Sequence, residues 1–197
     1  MHPVQDAAGA ALTSAEPSSS SAVPVSQDDG RLGPRRLLAL IAVVVLVLDQ
    51  LTKVWALAAL APGEPVDVVG SWVRLNLIRN PGAAFSLGDG STWVLTIVSL
   101  VILVGVLVTA RRVGNRAWAV TLGLLLGGAL GNLVDRFARE PGPGRGHVVD
   151  FIDYFGLFVG NVADIAIVVA AGAVMVLAHR GLPVGPGRGR HEAVSDD

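Results

Sequence analysis

The chain has 197 residues, of which 52% are hydrophobic and 16% are charged, and its mean hydropathy is +0.59. Soluble domains usually carry about 25% charged residues, and the apolar residues here form long blocks, so the composition predicts an integral membrane protein. The net charge of −1 gives no basis for nucleic-acid binding, and the absence of cysteine excludes a thiol nucleophile, disulfides and cysteine-ligated metals. The four histidines lack metal-ligand spacing, so we expect neither a metal nor another cofactor.

The composition predicts a membrane all-α fold with a disordered tail at each end. Residues 1–34 are rich in alanine, serine and proline, and residues 181–197 have a similar low-complexity character. Residues 35–180 form one predicted domain, a bundle of four transmembrane helices, because a span needs roughly 20 apolar residues. The predicted spans fall at about 37–60, 93–110, 117–134 and 161–179.

Basic residues predict how this bundle is oriented in the membrane. Nine arginines lie before the first span, between the second and third spans, or after the fourth. Five lie on the other side, over much longer loops: Arg74, Arg79, Arg136, Arg139 and Arg145. The positive-inside rule therefore places both termini in the cytoplasm, and residues 61–92 and 135–160 outside it.

An alternative interpretation of the first span is a cleavable signal peptide. RRLLALIAVVVLVL followed by WALAALAPG has the basic start, the apolar run and the A-x-A pattern of such a leader. DQLTK interrupts the apolar run before the alanines, and the preceding tail is unusually long. We therefore expect this segment to remain as a span.

Segment 66–79, VDVVGSWVRLNLIR, is predicted to be extended. It contains β-branched residues and partially alternates polar and apolar side chains, which favours a strand in a small extracytoplasmic sheet lying on the membrane. NPG follows at 80–82. Pro81 presets its own φ and Gly82 can adopt a positive φ, which suits a type II turn that begins at Asn80.

Asp49 and Lys53 are charged residues within the first apolar segment. Their i, i+4 spacing places them on one helix face. An ionised side chain in mid-bilayer costs about 2.5–3.5 kcal/mol on insertion scales, so a mutually neutralising structural pair near the outer end of the span is the simpler interpretation. The alternative is that this pair supports a functional site nearby.

Gly123, Gly127 and Gly131 recur every four residues in the third apolar segment. Small residues at this spacing let membrane helices approach closely, so we interpret these glycines as packing positions.

Three polar residues, Asn132, Asp135 and Arg136, continue the face of these glycines toward the outer boundary. We expect their side chains to point into the bundle. Arg136 can hold Asp135 ionised or bind a lipid head group, and Asp135 can orient Arg136. An interfacial anchor is an equally good interpretation.

Asn161 and Asp164 stand three residues apart at the start of the fourth span. This spacing fits a structural role, with Asn161 as the N-cap and Asp164 in the first turn, where a carboxylate complements the helix dipole. Asp150 is harder to explain structurally, because it lies between apolar residues with few basic residues nearby. Asp153, one turn further along if this segment is helical, is the competing candidate.

Two carboxylates that converge at a membrane boundary suggest acid–base hydrolysis. Like charges in a low-dielectric site cannot both ionise, so one proton is shared between a base and an acid. Such a pair can activate water against an amide carbonyl and protonate the departing nitrogen without a metal or a cysteine. Neighbouring asparagines can bind water or a substrate backbone without adding charge. The serines and histidines form no visible constellation for serine hydrolysis.

Five short motifs between about residues 37 and 179 occur in an order that resembles lipoprotein signal peptidase (signal peptidase II), a family of bacterial membrane aspartyl endopeptidases. The motifs are DQLTK at 49–53, NPGAAFS at 80–86, GGALGNLVDR at 127–136, VVDF at 148–151 and NVAD at 161–164. Each motif is weak alone, whereas the five in this order on four spans are highly specific.

The resemblance implies a site and a substrate. The catalytic pair would be Asp150 and Asp164. The residues that line or brace the site would be Asp49, Lys53, Asn80, Gly82, Asn132, Asp135, Arg136 and Asn161. The substrate would be a prolipoprotein, in contact with membrane lipids, whose lipobox cysteine already carries diacylglycerol and which is cut just before that cysteine. The family's inhibitor, the cyclic peptide globomycin, would be expected to block the reaction.

Two other classes of protein fit parts of the pattern. A small transporter or channel would use Asp49 and Lys53 as a coupling pair, and a structural scaffold would make Asp150 and Asp164 dispensable. Transporters are expected to hold ionisable residues near the membrane midplane, whereas most of those here lie at the outer ends of the predicted spans. We therefore favour the peptidase.

Overall fold

The structure is a computed structural model that describes residues 32–82 and 92–186. Within these residues, the helices are α1 (Pro34–Ala59), α2 (Thr92–Ala110), α3 (Arg116–Ala138) and α4 (Val162–His179). The strands are β1 (Val66–Val69), β2 (Val73–Asn80), β3 (Val148–Tyr154) and β4 (Phe158–Gly160). The predicted combination of four apolar helices with a small sheet is confirmed. Of the two predicted tails, only residues 32–34 and 181–186 are described, and Pro34 already begins α1.

All four helices are long and apolar enough to cross a membrane. Many of their large hydrophobic side chains face outward; Val101 of α2 is 66% exposed and Val168 of α4 is 70% exposed. Apolar surface of this extent fits a hydrocarbon environment.

Helix α3 packs against each of the other three helices. Its glycines permit the close approach. A Cβ atom on Gly127 would lie 2.7 Å from the carbonyl oxygen of Ala42 in α1, and one on Gly128 would lie 2.7 Å from the carbonyl oxygen of Ala163 in α4. The interpretation of the glycine spacing as helix packing is therefore confirmed.

The four strands form one antiparallel sheet in the order β1-β2-β3-β4. The predicted extended segment 66–79 becomes two strands, because the chain reverses near Gly70, whose φ is +52°. Val149 and Phe151 of β3 form a buried apolar cluster with Ala56 of α1. This cluster attaches the sheet to the end of α1 and fixes the position of β3 beside the helices.

The loop after α3 covers the C-terminal end of that helix. The backbone N–H groups of Gly144 and Gly146 donate to the carbonyl oxygen of Arg136 at 2.8 and 3.0 Å. Gly146 lies so close to the last helical turn that a Cβ atom there would collide with the carbonyl oxygen of Asp135. The loop thus satisfies helix-end carbonyls and returns the chain to α3 as β3 begins.

Candidate active site

Asp150 lies in the middle of β3, and its side chain lines a cavity that α2, α3 and α4 also border. Only 2% of its surface is exposed. Its Oδ2 accepts a hydrogen bond from Nδ2 of Asn80 at 2.7 Å, and its Oδ1 accepts one from Nδ2 of Asn161 at 2.6 Å. Among the described residues, no lysine or arginine lies within ion-pair distance of this carboxyl.

Burial raises the pKa of the Asp150 carboxyl to about 7. The hydrogen bonds from Asn80 and Asn161 and the charge of Lys53 act in the opposite direction, whereas the nearby Asp164 raises the pKa further. A carboxyl with a pKa near neutrality exchanges its proton readily at physiological pH, which suits a general acid or base.

Asp164 lies in the first turn of α4 and forms a capping box with Asn161. The backbone N–H of Asp164 donates to Oδ1 of Asn161 at 3.0 Å, and the backbone N–H of Asn161 donates to Oδ2 of Asp164 at 3.1 Å. The structural role predicted for these two residues is confirmed. The same carboxyl also lines the cavity beside Asp150, so the capping role does not exclude a chemical one.

Two asparagine amides connect the candidate carboxyls. Nδ2 of Asn132 donates to Oδ1 of Asp164 at 2.9 Å. Nδ2 of Asn161 donates to Asp150 and also lies 3.2 Å from Oδ1 of Asn132. Because these donors are uncharged, they orient both carboxyls without fixing either one in its ionised form.

The cavity that these carboxyls share has a volume of about 380 Å³. Its polar wall contains Asn80, Asn132, Arg136, Asp150 and Asp164. Its apolar wall comes from α2 and α4 and includes Leu95, Val98, Ile167 and Val168. Val98 is 48% exposed and Val168 is 70% exposed, so the apolar wall continues onto the outer surface of the helices. A ligand with a hydrocarbon part can therefore reach the carboxyls from the side of the bundle.

Lys53 is fully buried at the centre of a second group of polar side chains. Its Nζ lies 2.8 Å from Oδ2 of Asp49, 2.8 Å from Oδ2 of Asp135 and 3.0 Å from Oδ1 of Asn132. These three acceptors match the three donors of an ammonium group, which compensates for its loss of hydration. The predicted pair of Asp49 with Lys53 is present and is extended by a second carboxylate.

Each carboxylate bound to Lys53 also holds the backbone next to a candidate catalytic aspartate. Oδ1 of Asp49 accepts a hydrogen bond from the N–H of Ala163 at 2.9 Å, one residue before Asp164. Oδ2 of Asp135 accepts one from the N–H of Val149 at 3.1 Å, one residue before Asp150. The buried ion cluster therefore braces the two segments that carry the candidate pair.

Arg136 is not within ion-pair distance of Asp135, with which the sequence analysis associates it, although the two opposite charges still attract each other. Adjacent residues on a helix point in different directions, and Asp135 binds Lys53 and Arg139 instead. Nη1 of Arg136 donates to the carbonyl oxygens of Asn80 at 3.3 Å and Gly146 at 3.0 Å. Arg136 is only 7% exposed, so it joins the end of β2 to the loop after α3 and does not act as an exposed interfacial anchor.

Asp153 is separated from Asp164 because its segment is a strand and not a helix. Side chains alternate between the two faces of a strand, so residues three apart point in opposite directions. Oδ2 of Asp153 instead forms an ion pair with Nη2 of Arg74 at 2.6 Å. The competing candidate therefore does not share the cavity of Asp150 and Asp164.

Gly82 has a φ of +119°, as the predicted turn requires, and its N–H donates to Oδ1 of Asn80 at 2.8 Å. The turn is thus closed by the Asn80 side chain, whose amide nitrogen is aimed at Asp150. Residue 83, which would complete a type II turn, lies outside the described residues.

The sequence analysis did not predict two residues that contact the carboxylates of the ion cluster, Arg139 and Gln50. Nε of Arg139 lies 2.6 Å from Oδ1 of Asp135. The spacing of this pair is i, i+4, but the third span was predicted to end at about residue 134, so the pair was not placed on one helix. Nε2 of Gln50 donates to Oδ2 of Asp49 and to the carbonyl oxygen of Gly131, each at 3.1 Å, and no sequence pattern indicated this contact.

The chain is similar to proteins of one known family. The family model for signal peptidase (SPase) II matches residues 41–180. A lipoprotein signal peptidase of Mycolicibacterium smegmatis is 52% identical over 143 residues, which cover 73% of this chain and 60% of that relative. One of Mycobacterium avium is 49% identical over 162 residues, which cover 82% of this chain and 87% of the relative.

Two solved structures, each described as a bacterial membrane enzyme determined by the in meso method, are also similar. The first, at 2.3 Å resolution, has a TM-score of 0.64 and 28% identity and covers 73% of this chain and 87% of its own. The second, at 1.9 Å, has a TM-score of 0.62 and 28% identity and covers 72% and 91%. The family model covers well over half of the chain and the relatives are 49% and 52% identical to it, so the resemblance is confirmed and the chain belongs to the signal peptidase II family.

Proposed function

We propose that this protein is an aspartyl endopeptidase that removes signal peptides from diacylglyceryl-modified prolipoproteins, cutting just before the lipidated cysteine. The observation that carries the proposal is the shared cavity of Asp150 and Asp164, two buried carboxyls oriented by neutral amides. The relatives named lipoprotein signal peptidase support the substrate class.

In the proposed mechanism the two carboxyls hold a single proton between them. The ionised carboxylate removes a proton from a water molecule as the water oxygen attacks the carbonyl carbon that precedes the cysteine. The protonated carboxyl stabilises the developing oxyanion, and the tetrahedral intermediate then collapses with breakage of the C–N bond. The departing nitrogen takes a proton from the pair, which leaves a carboxylate on the signal peptide and an amine on the lipidated cysteine.

The surrounding residues have supporting roles in this mechanism. Asn80, Asn132 and Asn161 orient the catalytic pair, and Gly82 permits the turn that presents Asn80. Asp49, Lys53 and Asp135 brace the backbone beside the pair, and Arg136 holds the end of β2. No step of the mechanism requires a metal or another cofactor.

The apolar wall of the cavity supports a lipidated substrate. Because this wall continues onto the outer surface of α2 and α4, the diacylglyceryl chains can remain among membrane lipids while the peptide bond reaches Asp150 and Asp164. Inhibition by the cyclic peptide globomycin, which the family resemblance implies, belongs to the same proposal.

The proposed location is the bacterial cytoplasmic membrane, with both termini in the cytoplasm and the active site at the extracytoplasmic face. The distribution of arginines supports this orientation. In this arrangement residues 35–180 form the peptidase domain, and the chain segments before and after it lie on the cytoplasmic side.

The decisive experiment compares two precursors incubated with the purified protein. One carries a diacylglyceryl-modified lipobox cysteine and the other is the same precursor without the lipid. Cleavage of the lipidated form alone, just before its cysteine, is the expected result. Equal cleavage of both forms would refute the proposed specificity, and cleavage of neither would refute the proposed activity.

A further inference from the structure

A second cavity, with a volume of about 390 Å³, lies beside the sheet. It is bordered by β2, by the turn between β3 and β4, and by β4 itself. Asn80 and Phe158 line both this cavity and the one that holds Asp150 and Asp164, so the two spaces adjoin. The roles proposed above leave this second space, here called the sheet cavity, without a ligand.

The sheet cavity differs from the active-site cavity in its charge. Arg74, Arg79 and Asp153 line it. Asp153 is 1% exposed and forms an ion pair with Arg74 at 2.6 Å, so the charges of these two residues compensate each other. Arg79 is exposed and forms no ion pair with any carboxylate of the described residues. Arg79 therefore places one uncompensated positive charge at the border of the sheet cavity. It also borders a neighbouring cavity next to Leu57, Leu60 and Leu77.

The position of the sheet cavity indicates which part of a precursor it can hold. The active-site cavity borders spanning helices through an apolar wall, which suits the lipid and the apolar signal peptide. In the proposed orientation the chain that follows the cysteine leaves the membrane on the extracytoplasmic side, so it needs a path away from the cleaved bond that does not run through the apolar wall. Among the cavities bordered by described residues, the sheet cavity offers such a path next to Asn80.

We propose that the sheet cavity is a subsite for the first residues after the cleaved bond and that Arg79 makes it favour a carboxylate side chain there. This inference rests on the proposed function and adds a specificity to it. Arg79, and not Arg74, is the discriminating residue, because Arg74 is already bound to Asp153. The exposed position of Arg79 also makes the preference sensitive to salt.

The test uses diacylglyceryl-modified precursor peptides that differ at one position among the first four after the cysteine, with Glu, Gln or Lys at that position. The kcat and KM of the full-length protein are measured at low and at high salt. At one or more positions we expect the Glu peptide to exceed the Gln peptide in kcat/KM by roughly twofold to fivefold at low salt, the size expected for an exposed charge pair. The difference should lie mainly in KM and should shrink at high salt.

Variants of Arg79 make the assignment specific. Arg79→Gln should remove the preference for Glu, and Arg79→Glu should reverse it in favour of Lys. Arg145→Gln is the matched control, because Arg145 is also exposed, lies after α3 and does not line the sheet cavity. This control variant should keep the preference of the wild-type protein.

Failure of the subsite and failure of the proposed activity give different results. If wild-type protein cleaves Glu and Gln peptides equally at all four positions, the subsite inference is wrong and the peptidase stands. The inference is equally wrong if Arg79→Gln keeps the preference for Glu. If wild-type protein cleaves none of the lipidated peptides, the proposed function falls and the inference falls with it.

Discussion

The ammonium group of Lys53 donates a hydrogen bond to Oδ1 of Asn132 at 3.0 Å and thereby fixes the orientation of that amide. With its oxygen held by Lys53, Asn132 must direct its Nδ2 toward Asp164, where it donates at 2.9 Å. A lysine buried in the first helix thus determines which group a carboxyl in the fourth helix meets. In the proposed mechanism Lys53 therefore acts through Asn132, as a positioning residue.

The proposed catalytic pair predicts that Asp150→Asn and Asp164→Asn each abolish cleavage of a lipidated precursor. An amide replaces the carboxyl at nearly the same size, so the protein should still insert and fold, but it can neither accept nor share the proton. Turnover is measured on the purified variants, and folding is checked by thermal unfolding in detergent. Substantial turnover by a folded variant of either residue would move the active site elsewhere.

The ion cluster predicts unequal effects for its members. Lys53→Met leaves Asp49 and Asp135 buried without their shared cation, which should lower the free energy of unfolding by about 3–5 kcal/mol. Asp49→Asn keeps an oxygen that can accept from Ala163 and leaves Lys53 paired with Asp135, so it should cost about 1–3 kcal/mol.

Denaturant unfolding and cleavage rates of the two variants provide the measurement. Asp49→Asn should lower activity or stability without abolishing activity. A variant of Asp49 that folds as well as the wild-type protein and has no activity would contradict its supporting role.

The close contact between Gly131 and Asp49 predicts that the distance between α1 and α3 affects the geometry of the candidate site. A Cβ atom on Gly131 would lie 2.5 Å from Oδ2 and 3.0 Å from Cγ of Asp49, so Gly131→Ala must displace the carboxylate that holds Ala163. We expect Gly131→Ala to lower stability by about 1–3 kcal/mol and to reduce kcat.

The matched control for this substitution is Gly105→Ala in α2, where a Cβ atom would have nothing within 4 Å. Alanine favours the helix over glycine by about 1 kcal/mol, so this variant should be neutral or slightly stabilised. Equal losses in the two variants would mean that contact with Asp49 is not the cause.

The pKa of Asp150 predicts a pH dependence of cleavage. If the pair works with one shared proton, loss of that proton removes the acid, so kcat/KM should decline as the pH rises above about 7. The pH at which kcat/KM declines reports an apparent pKa of the coupled pair and not of Asp150 alone. Cleavage rates measured from about pH 5 to about pH 9 test this, and a rate that keeps rising across this range would contradict it.

The same shift predicts a pH dependence of stability. Because burial raises the pKa of Asp150 to about 7, the folded protein binds this proton more tightly than the unfolded chain does. The stabilisation is fully present below about pH 4 and is lost as the pH rises through about 7. Asp150→Asn lacks this term, so its stability should rise relative to wild type between about pH 5 and about pH 8. A constant difference would show that Asp150 does not titrate in this range.

The sequence was most informative where one helix or one loop determined the outcome. The apolar runs predicted the four helices, the spacing of Gly123, Gly127 and Gly131 predicted close packing, and the spacing of Asn161 and Asp164 predicted the helix cap. Each of these patterns lies within one local segment of the chain, so the structure that it produces follows from helix geometry alone.

Contacts between distant segments were not predictable in the same way. The sequence paired Lys53 with Asp49, but its second carboxylate, Asp135, is 82 residues away along the chain. The segment around Asp150 is short and apolar, a pattern that does not distinguish a strand from a helix. Pairing with β2 makes this segment a strand, so the side chain of Asp153 lies on the face of the sheet opposite to that of Asp150.

The buried hydrogen bond from the N–H of Ala163 to Asp49 joins the first and last spans of the bundle. A ribosome making this chain delivers Asp49 long before Ala163, and it delivers Asp150 before Asn161 and Asp164. A nascent chain interrupted ahead of its final span thus holds half of the proposed dyad, with Asp150 lacking one of its two amide donors. If the proposed dyad is the active site, a chain can cleave a substrate only after its fourth span has been made and inserted.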